Sequence, residues 1–291
     1  MKKPHLILIS LFLFTNSLLG QINAVVQDDE TFEPIEFVNI CIENENIGTS
    51  SNELGYFSID VNQMNTKLIF SAVGFETKRI DKSEIKDIGY LKKIVTKLPE
   101  IELLKNKNSN EFKIGSFETS ETDLYFGTDT KYPWIIARLF NNNSIGNETK
   151  FLKKIKLITG ISEKTQFNVR VYSVGQDKKP NEYLVNQNII GIAKKGINET
   201  EIDLSYLNVI FPKEGLFIAI ENIKEEQKVK KRRSSRLEKT LTLGLDLESK
   251  NENTYIYYKG EWVDKIISQN MFSEKMLNLF KAVSIELTVA D

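Results

Sequence analysis

The side chains that most often carry catalysis are nearly absent from this 291-residue chain: it has one histidine, His5, and one cysteine, Cys41. His5 sits in an N-terminus with a defined order. Lys2 and Lys3 supply positive charge, Leu6 to Phe14 is an unbroken apolar run, and Thr15-Asn16-Ser17 interrupts it before Leu18-Leu19-Gly20. That order predicts a secretory signal peptide, cut after Gly20 or a few residues earlier, after Ser17. The run falls well short of the roughly 20 residues of a membrane-spanning helix, so no transmembrane segment is expected in the mature chain. No cysteine follows it that could take a lipid anchor. Cleavage at Gly20 would remove Lys2, Lys3 and His5, leaving 37 basic residues against 40 acidic ones, a net charge of -3. The mature chain would then hold no histidine. Imidazole is the usual base near neutral pH and the usual zinc ligand. A Ser-His-Asp triad, a Cys-His pair and a histidine-based zinc site are all excluded under that expectation. A lone cysteine also excludes an internal disulfide. Cys41 is open to two readings, a reactive thiol or a small apolar residue on a strand, where free cysteines commonly pack.

Carboxylates remain. Two of them suffice for glycoside hydrolysis. Glu118, Glu121 and Asp123 cluster in sequence, as do Asp246 and Glu248, which share a strand face. Neither group forms a specific motif. Asp28, Asp29 and Glu30 lack the alternating spacing of a calcium loop and read as a turn. There is no glycine-rich phosphate loop, and no cofactor or metal is expected.

Two groups could bind. Lys228, Lys230, Lys231, Arg232, Arg233 and Arg236 form a basic run between two apolar segments. It reads as a patch for anionic glycans, lipopolysaccharide or phosphate, or as a solvated loop balanced by Glu225, Glu226 and Glu238. Tyr255 and Tyr257 share a strand face, and Trp262 can lie across a hairpin from them. Flat aromatic side chains stack on apolar sugar faces. The alternative is cross-strand packing, the commoner fate of aromatics in strands. A net charge of -3 gives no bulk attraction to nucleic acid.

The elements that must hold these residues read as strands. Thr165 to Val174 alternates apolar and polar, the pattern of a half-buried strand. Gly215 to Ile223 is continuously apolar and predicts a strand buried on both faces. Phe151 to Thr159, Glu199 to Leu204, Thr240 to Leu247, Thr254 to Tyr258 and Ala282 to Val289 complete the set, with Lys259-Gly260 turning a hairpin into Trp262. Only Ser268 to Lys281 looks helical. In Phe37 to Ile42, Val38, Ile40 and Ile42 share one face, and Phe37, Asn39 and Cys41 the other. Asn52-Glu53-Leu54-Gly55 supplies a turn, and Lys82 to Tyr90 holds one short helical turn at most.

The segment from Ile22-Asn23-Ala24-Val25-Val26, through Pro34 to Ile40 and Gly48 to Ile59, to Leu68-Ile69-Phe70-Ser71-Ala72-Val73-Gly74-Phe75 resembles the carboxypeptidase regulatory-like domain. The resemblance implies a transthyretin-like β-sandwich with no chemistry of its own, common in exported proteins of Bacteroidetes-type bacteria. The zinc peptidases that often carry this domain need histidine ligands, which are missing here. The domain boundaries expected are a signal peptide at 1–20, the regulatory-like domain at 21–104, a polar linker at 105–110, and a larger β-sandwich at 111–291, jelly-roll-like in arrangement. The C-terminal region is diffusely similar to β-rich domains of envelope proteins. The expected fold class is all-β.

These readings point to an exported, non-catalytic accessory or binding protein of the bacterial envelope, located in the periplasm, at the outer membrane or on the cell surface, with an envelope protein or glycan as partner. The alternatives are a carboxylate-dependent, glycosidase-like enzyme on the C-terminal sandwich, and a structural spacer.

Overall fold

The computed structural model describes residues 20–45, 47–61, 66–94, 110–117, 125–126, 135–141, 149–223, 241–246, 254–264 and 282–291. The expected signal segment up to residue 19, the linker at 105–110 (save Asn110), the basic run and the helix expected at 268–281 lie outside the described residues.

The chain is all-β. Its first part forms β1 (Gly20–Asp28), β2 (Asn39–Ile42), β3 (Gly48–Ser50), β4 (Tyr56–Val61), β5 (Lys67–Ser71), β6 (Lys78–Asp81) and β7 (Ile88–Leu91). They make two sheets, ordered β4-β1-β7 and β3-β2-β5-β6. β1 and β7 run parallel, and the other pairs are antiparallel. Alternation decides what goes inside. Ala24 and Val26 of β1, Ile40 and Ile42 of β2, Phe57 and Ile59 of β4, and Leu68 and Phe70 of β5 all enter one core. The turn into β4 is set by Asn52, whose Oδ1 accepts from the backbone N–H of Leu54 at 2.9 Å and Tyr56 at 3.0 Å. Gly55 completes that turn at φ +71, where a Cβ would lie 2.6 Å from the Val26 carbonyl oxygen. The expected helical turn is a 3-10 turn at Lys82–Glu84. β7 follows it at Ile88–Leu91, a strand too short for its pattern to announce.

The second part forms β8 (Glu111–Ile114), β9 (Tyr125–Phe126), β10 (Ile135–Phe140), β11 (Phe151–Ile161), β12 (Thr165–Val174), β13 (Pro180–Tyr183) and β14 (Ile189–Ala193). Then come β15 (Gly196–Asp203), β16 (Leu216–Asn222), β17 (Thr242–Asp246), β18 (Thr254–Tyr258), β19 (Glu261–Asp264), β20 (Ala282–Val283) and β21 (Ile285–Ala290). They build two seven-stranded sheets. With peripheral strands set aside, the sheets read β8-β21-β11-β15 and β10-β16-β12-β14. The chain steps from one sheet to the other at most connections, which gives the strand order of a jelly roll. The core between the sheets holds Ile155 and Leu157 of β11, Val169 and Val171 of β12, Ile218 and Ile220 of β16, and Leu287 and Val289 of β21. The expected hairpin is present: Tyr257 pairs with Trp262 across Lys259-Gly260. Both turn residues have positive φ, +53 and +89, as a two-residue hairpin turn requires.

A charged side chain enters the jelly-roll interior. Arg138 of β10 is 4 % exposed. Its Nη1 donates to the carbonyl oxygens of Val283 at 2.8 Å and Ile285 at 3.0 Å, and its Nη2 lies 3.7 Å from Asp246 Oδ2. It therefore ties one sheet to the other. Burial pulls its pKa down to about 10, with Asp246 acting the other way, so it stays charged at neutral pH.

Candidate functional site

The outer faces of two sheets meet. β12 sends Phe167, Val169 and Val171 into the jelly-roll core, so Asn168, Arg170 and Tyr172 must point outward. β16 does the same, with Phe217, Ala219 and Glu221 outward. The register sets Arg170 opposite Ala219 and Asn168 opposite Glu221, so Arg170 and Glu221 are diagonal neighbours. The alternation of β12 reads as a half-buried strand, yet Asn168 and Arg170 are 0 % and 2 % exposed. The reason is the first sandwich, whose β2-β5 face covers them. Asn39, Cys41 and Ile69 lie on that face, opposite the residues that fill their own core, and all three are buried. The β18–β19 hairpin tip reaches the same face: a Cβ on Gly260 would come 2.7 Å from Ile69 Cδ1.

The polar half of this layer is a chain of charge-assisted hydrogen bonds. Arg170 donates to Glu221 Oε2 from Nε at 2.8 Å, and its Nη2 lies 2.7 Å from the same oxygen. Asn168 Nδ2 donates to that oxygen at 3.4 Å. Arg170 Nη1 donates to Asn188 Oδ1 at 2.7 Å, and Asn188 Nδ2 donates across to Glu36 Oε1 of the first sandwich at 3.0 Å. Arg170 Nη2 also approaches the Phe37 carbonyl oxygen at 3.5 Å. Burial alone would lower the guanidinium pKa; the charge and hydrogen bond of Glu221, together with Tyr183 and Tyr172, outweigh it, and Arg170 is held above its ordinary value. The carboxylate is thereby held in a buried ion pair.

The other half is aromatic. Tyr172 stacks on Tyr183 with ring centroids 4.7 Å apart and meets Trp262 edge-on at 5.5 Å. Trp262 meets Tyr257 at 5.2 Å, and Tyr255 meets Phe217 at 5.3 Å. Burial raises the phenol pKa of Tyr172, Tyr183 and Tyr257. Burial likewise pushes the Cys41 thiol up to about 12, so it is protonated and inert at neutral pH.

The structure thus brings Tyr255, Tyr257 and Trp262 together, on one cluster with Ile135, Ala137, Tyr172, Phe217 and Ala219. The three side chains are half-buried, and the Trp262 ring is engaged edge-on by two tyrosines. Lys230, Lys231, Arg232 and Arg233 lie outside the described residues, as do Glu118, Glu121, Asp123 and Glu248. Asp246 is spoken for by Arg138. Asp28 closes a turn, its Oδ1 accepting from the N–H of Glu30 at 2.9 Å and Thr31 at 3.3 Å, and those backbone donors keep its pKa below the usual carboxylate value. Among the described residues no cluster of three or more His, Cys, Asp or Glu side chains could hold a metal ion. Residue-type patterns missed Arg170, Glu221, Asn188 and Tyr183. The available signal was a charged residue, Glu221, at the end of an otherwise apolar central strand, which demands a buried partner.

Two crevices flank the layer. One, of about 520 Å³, runs between the Ser50–Ser58 region of the first sandwich and Ile223 of the second. The other, of about 340 Å³, lies between the Glu33–Glu36 and Ala72–Phe75 segments and Asn186, Gln187 and Asn188.

Residues 22–102 match the family model of the CarboxypepD_reg-like domain. No curated protein matches the chain. Among solved structures it is similar to the cysteine protease and lectin-like domains of a surface layer associated protein of Clostridium difficile, at 11% identity over 88% of this chain and 59% of that one, with a TM-score of 0.39. It is also similar to a structure of infectious bursal disease virus, Gt strain, at 8% identity over 93% of this chain and 59% of that one, TM-score 0.25. The chain spans about 59% of the length of each of those two structures.

Proposed function

From the premise that residues 22–102 are a carboxypeptidase regulatory-like domain, we propose that the chain is an exported, non-catalytic binding or accessory protein of the bacterial envelope. One observation carries this reading: among the described residues, each buried charged side chain is already committed. Arg170 holds Glu221, Arg138 holds backbone carbonyls and Asp246, Lys113 sits 3.3 Å from Glu286, Lys150 lies over the Phe112 ring, and Asp28 caps a turn. General acid–base work near neutral pH needs a titratable group that is desolvated but still free to exchange its proton. Here burial and charge are spent on joining sheets. The N-terminal order Lys2-Lys3, Leu6 to Phe14, Leu18-Leu19-Gly20 supports export, and the regulatory-like domain supports an accessory role.

Intact-mass analysis of the protein from its native host tests the first half: the chain should begin at or near Gln21, and a full-length cytoplasmic product would refute export. Incubation with panels of glycosides and peptides tests the second. The expected result is no turnover. Steady hydrolysis abolished by a single Glu or Asp substitution would establish an enzyme instead.

A further inference from the structure

The first sandwich has a second outer face, and among the described residues its large side chains stay exposed. On β1 the outward residues are Gln21, Asn23, Val25 and Gln27, because Ala24 and Val26 enter the core. The register places Val25 opposite Tyr56 on β4 and opposite Ile88 on β7, so Tyr56, Val25 and Ile88 form one row across the sheet. The next row places Gln27 beside Tyr90. Phe32 stands edge-on to Tyr90 with ring centroids 6.1 Å apart. Phe32 is 61%, Ile88 41%, Tyr56 38% and Tyr90 36% exposed. These are four of the large apolar side chains that folding leaves in water, gathered on one three-stranded sheet face.

The face has three further properties. Its rings are held: the Tyr56 hydroxyl donates to Asn23 Oδ1 at 2.9 Å, and Phe32 braces Tyr90. Uncharged amides, Gln21, Asn23 and Gln27, alternate along β1 beside the rings and offer donors and acceptors in a line. Among the described residues the rows of β1, β4 and β7 that carry the rings hold uncharged side chains, and Asp60 across from Gln21, Lys78, whose Nζ donates to the Tyr90 carbonyl oxygen, and the exposed Lys92 stand around them.

We propose that this β4-β1-β7 face binds a short, uncharged glycan chain. Size separates this occupant from a protein. Three strands about 4.8 Å apart give a face roughly 15 Å across, on the order of 200 Å². A stable protein partner needs about 800 Å² on each side. Charge separates it from an anionic glycan or a phosphate, which would call for a basic residue among the rings. Pyranose rings present C–H faces that pack on the negative face of an aromatic ring, and hydroxyls that the amides of β1 can meet. The proposal deepens the binding reading above and rests on it. It also moves the aromatic platform from Tyr255, Tyr257 and Trp262, which are half-buried and packed against one another and their neighbours, to Phe32, Tyr56 and Tyr90.

Isothermal titration of the purified full chain with cello-, xylo-, manno- and laminarihexaose, with heparin as the charged counterpart, tests it. At least one neutral hexaose should bind with a Kd of about 1 mM or tighter. Phe32→Ala and Tyr90→Ala should each weaken that binding about 10-fold or more without lowering the Tm, since both side chains are exposed. Trp262→Phe should leave the affinity unchanged. Binding of none of the four, binding of heparin alone, or neutral binding that survives both substitutions overturns the site. So does a concentration-dependent dimer by light scattering that Tyr90→Ala dissolves, because a second copy would then be the occupant. Hydrolysis of a hexaose would instead sink the non-catalytic reading itself, and the two failures are distinguished by whether product accumulates.

Discussion

Two sheet faces of this molecule carry aromatic side chains, and they have opposite fates. The outer face of β12-β16-β10 is buried under the first sandwich, with Phe217 and Ala219 fully enclosed and Arg170 and Glu221 paired beneath it. On the outer face of β4-β1-β7, among the described residues, Phe32, Tyr56, Ile88 and Tyr90 stay exposed beside uncharged side chains of β1. The distinguishing feature is not hydrophobicity but commitment. On the buried face the charges are paired, Arg170 with Glu221 and onward through Asn188 to Glu36, as desolvation demands, and Asn168 Oδ1 is left without a hydrogen bond. On the open face the Tyr56 hydroxyl donates to Asn23 Oδ1, and Asn23 Nδ2 donates to Gln21 Oε1 at 3.5 Å, with no charge pair among them.

The sharpest way to break the comparison is to orphan a charge in the buried layer. Arg170→Met leaves Glu221 enclosed without its cation, and breaking such a pair costs roughly 3–5 kcal/mol. Chemical denaturation should show that loss as a lower midpoint. The double variant Arg170→Met with Glu221→Leu should recover most of it, because both charges are then gone. If the single variant costs under 1 kcal/mol, water reaches the pair and the face is not sealed.

That contrast also marks what the amino-acid pattern reveals and what it hides. Most strands between Phe151 and Val289, the Lys259-Gly260 hairpin, the Asn52–Gly55 turn and the split of Val38, Ile40 and Ile42 from Asn39 and Cys41 were legible, because local period and turn chemistry determine them; β13 (Pro180–Tyr183) and β14 (Ile189–Ala193) were not, being short and without a clear alternation. The continuous apolar run Gly215 to Ile223 correctly announced a strand buried on both faces. Which element covers its second face was not legible. The partner residues Cys41 and Ile69 lie well over 100 positions away, and alternation in β12 looks the same whether its polar side faces water or another sandwich. The open face was hidden for the same reason. Tyr56, Ile88 and Tyr90 sit on separate strands, and only the register of β1 with β4 and β7 gathers them.

An intermediate effect should come from pH. The Cys41 thiol is raised to about 12 by burial, from an ordinary value near 9.0. A group that loses its proton more readily when unfolded contributes stability below its unfolded pKa. That contribution is lost as pH climbs from there toward the folded value. Stability should therefore fall by roughly 1–2 kcal/mol between pH 8 and pH 10. The buried tyrosines act in the same direction at the upper end of that window. Cys41→Val should flatten the curve between pH 8 and pH 10 in denaturation titrations. An unchanged slope would mean that the thiol ionises freely in the folded chain, and that the first sandwich does not seal against the second.

The smallest effect is expected where the comparison is most direct. Ile69 and Ile88 are both strand isoleucines on outer faces of the first sandwich, at 2% and 41% exposure. Threonine keeps the β-branched shape and strand preference and exchanges a methyl-bearing arm for a hydroxyl. At Ile88 the hydroxyl meets water, so Ile88→Thr should change stability by no more than about 0.5 kcal/mol. At Ile69 the same hydroxyl would be pressed against the β18–β19 hairpin beside Gly260, with apolar burial lost, so Ile69→Thr should cost well over 1 kcal/mol. Thermal denaturation of the two variants decides it. Equal losses would mean that both faces are enclosed, which would remove the open face as a binding surface. Equal neutrality would mean that the β2-β5 face is as exposed as β4-β1-β7, and the two sandwiches would then be held together by their covalent connection alone.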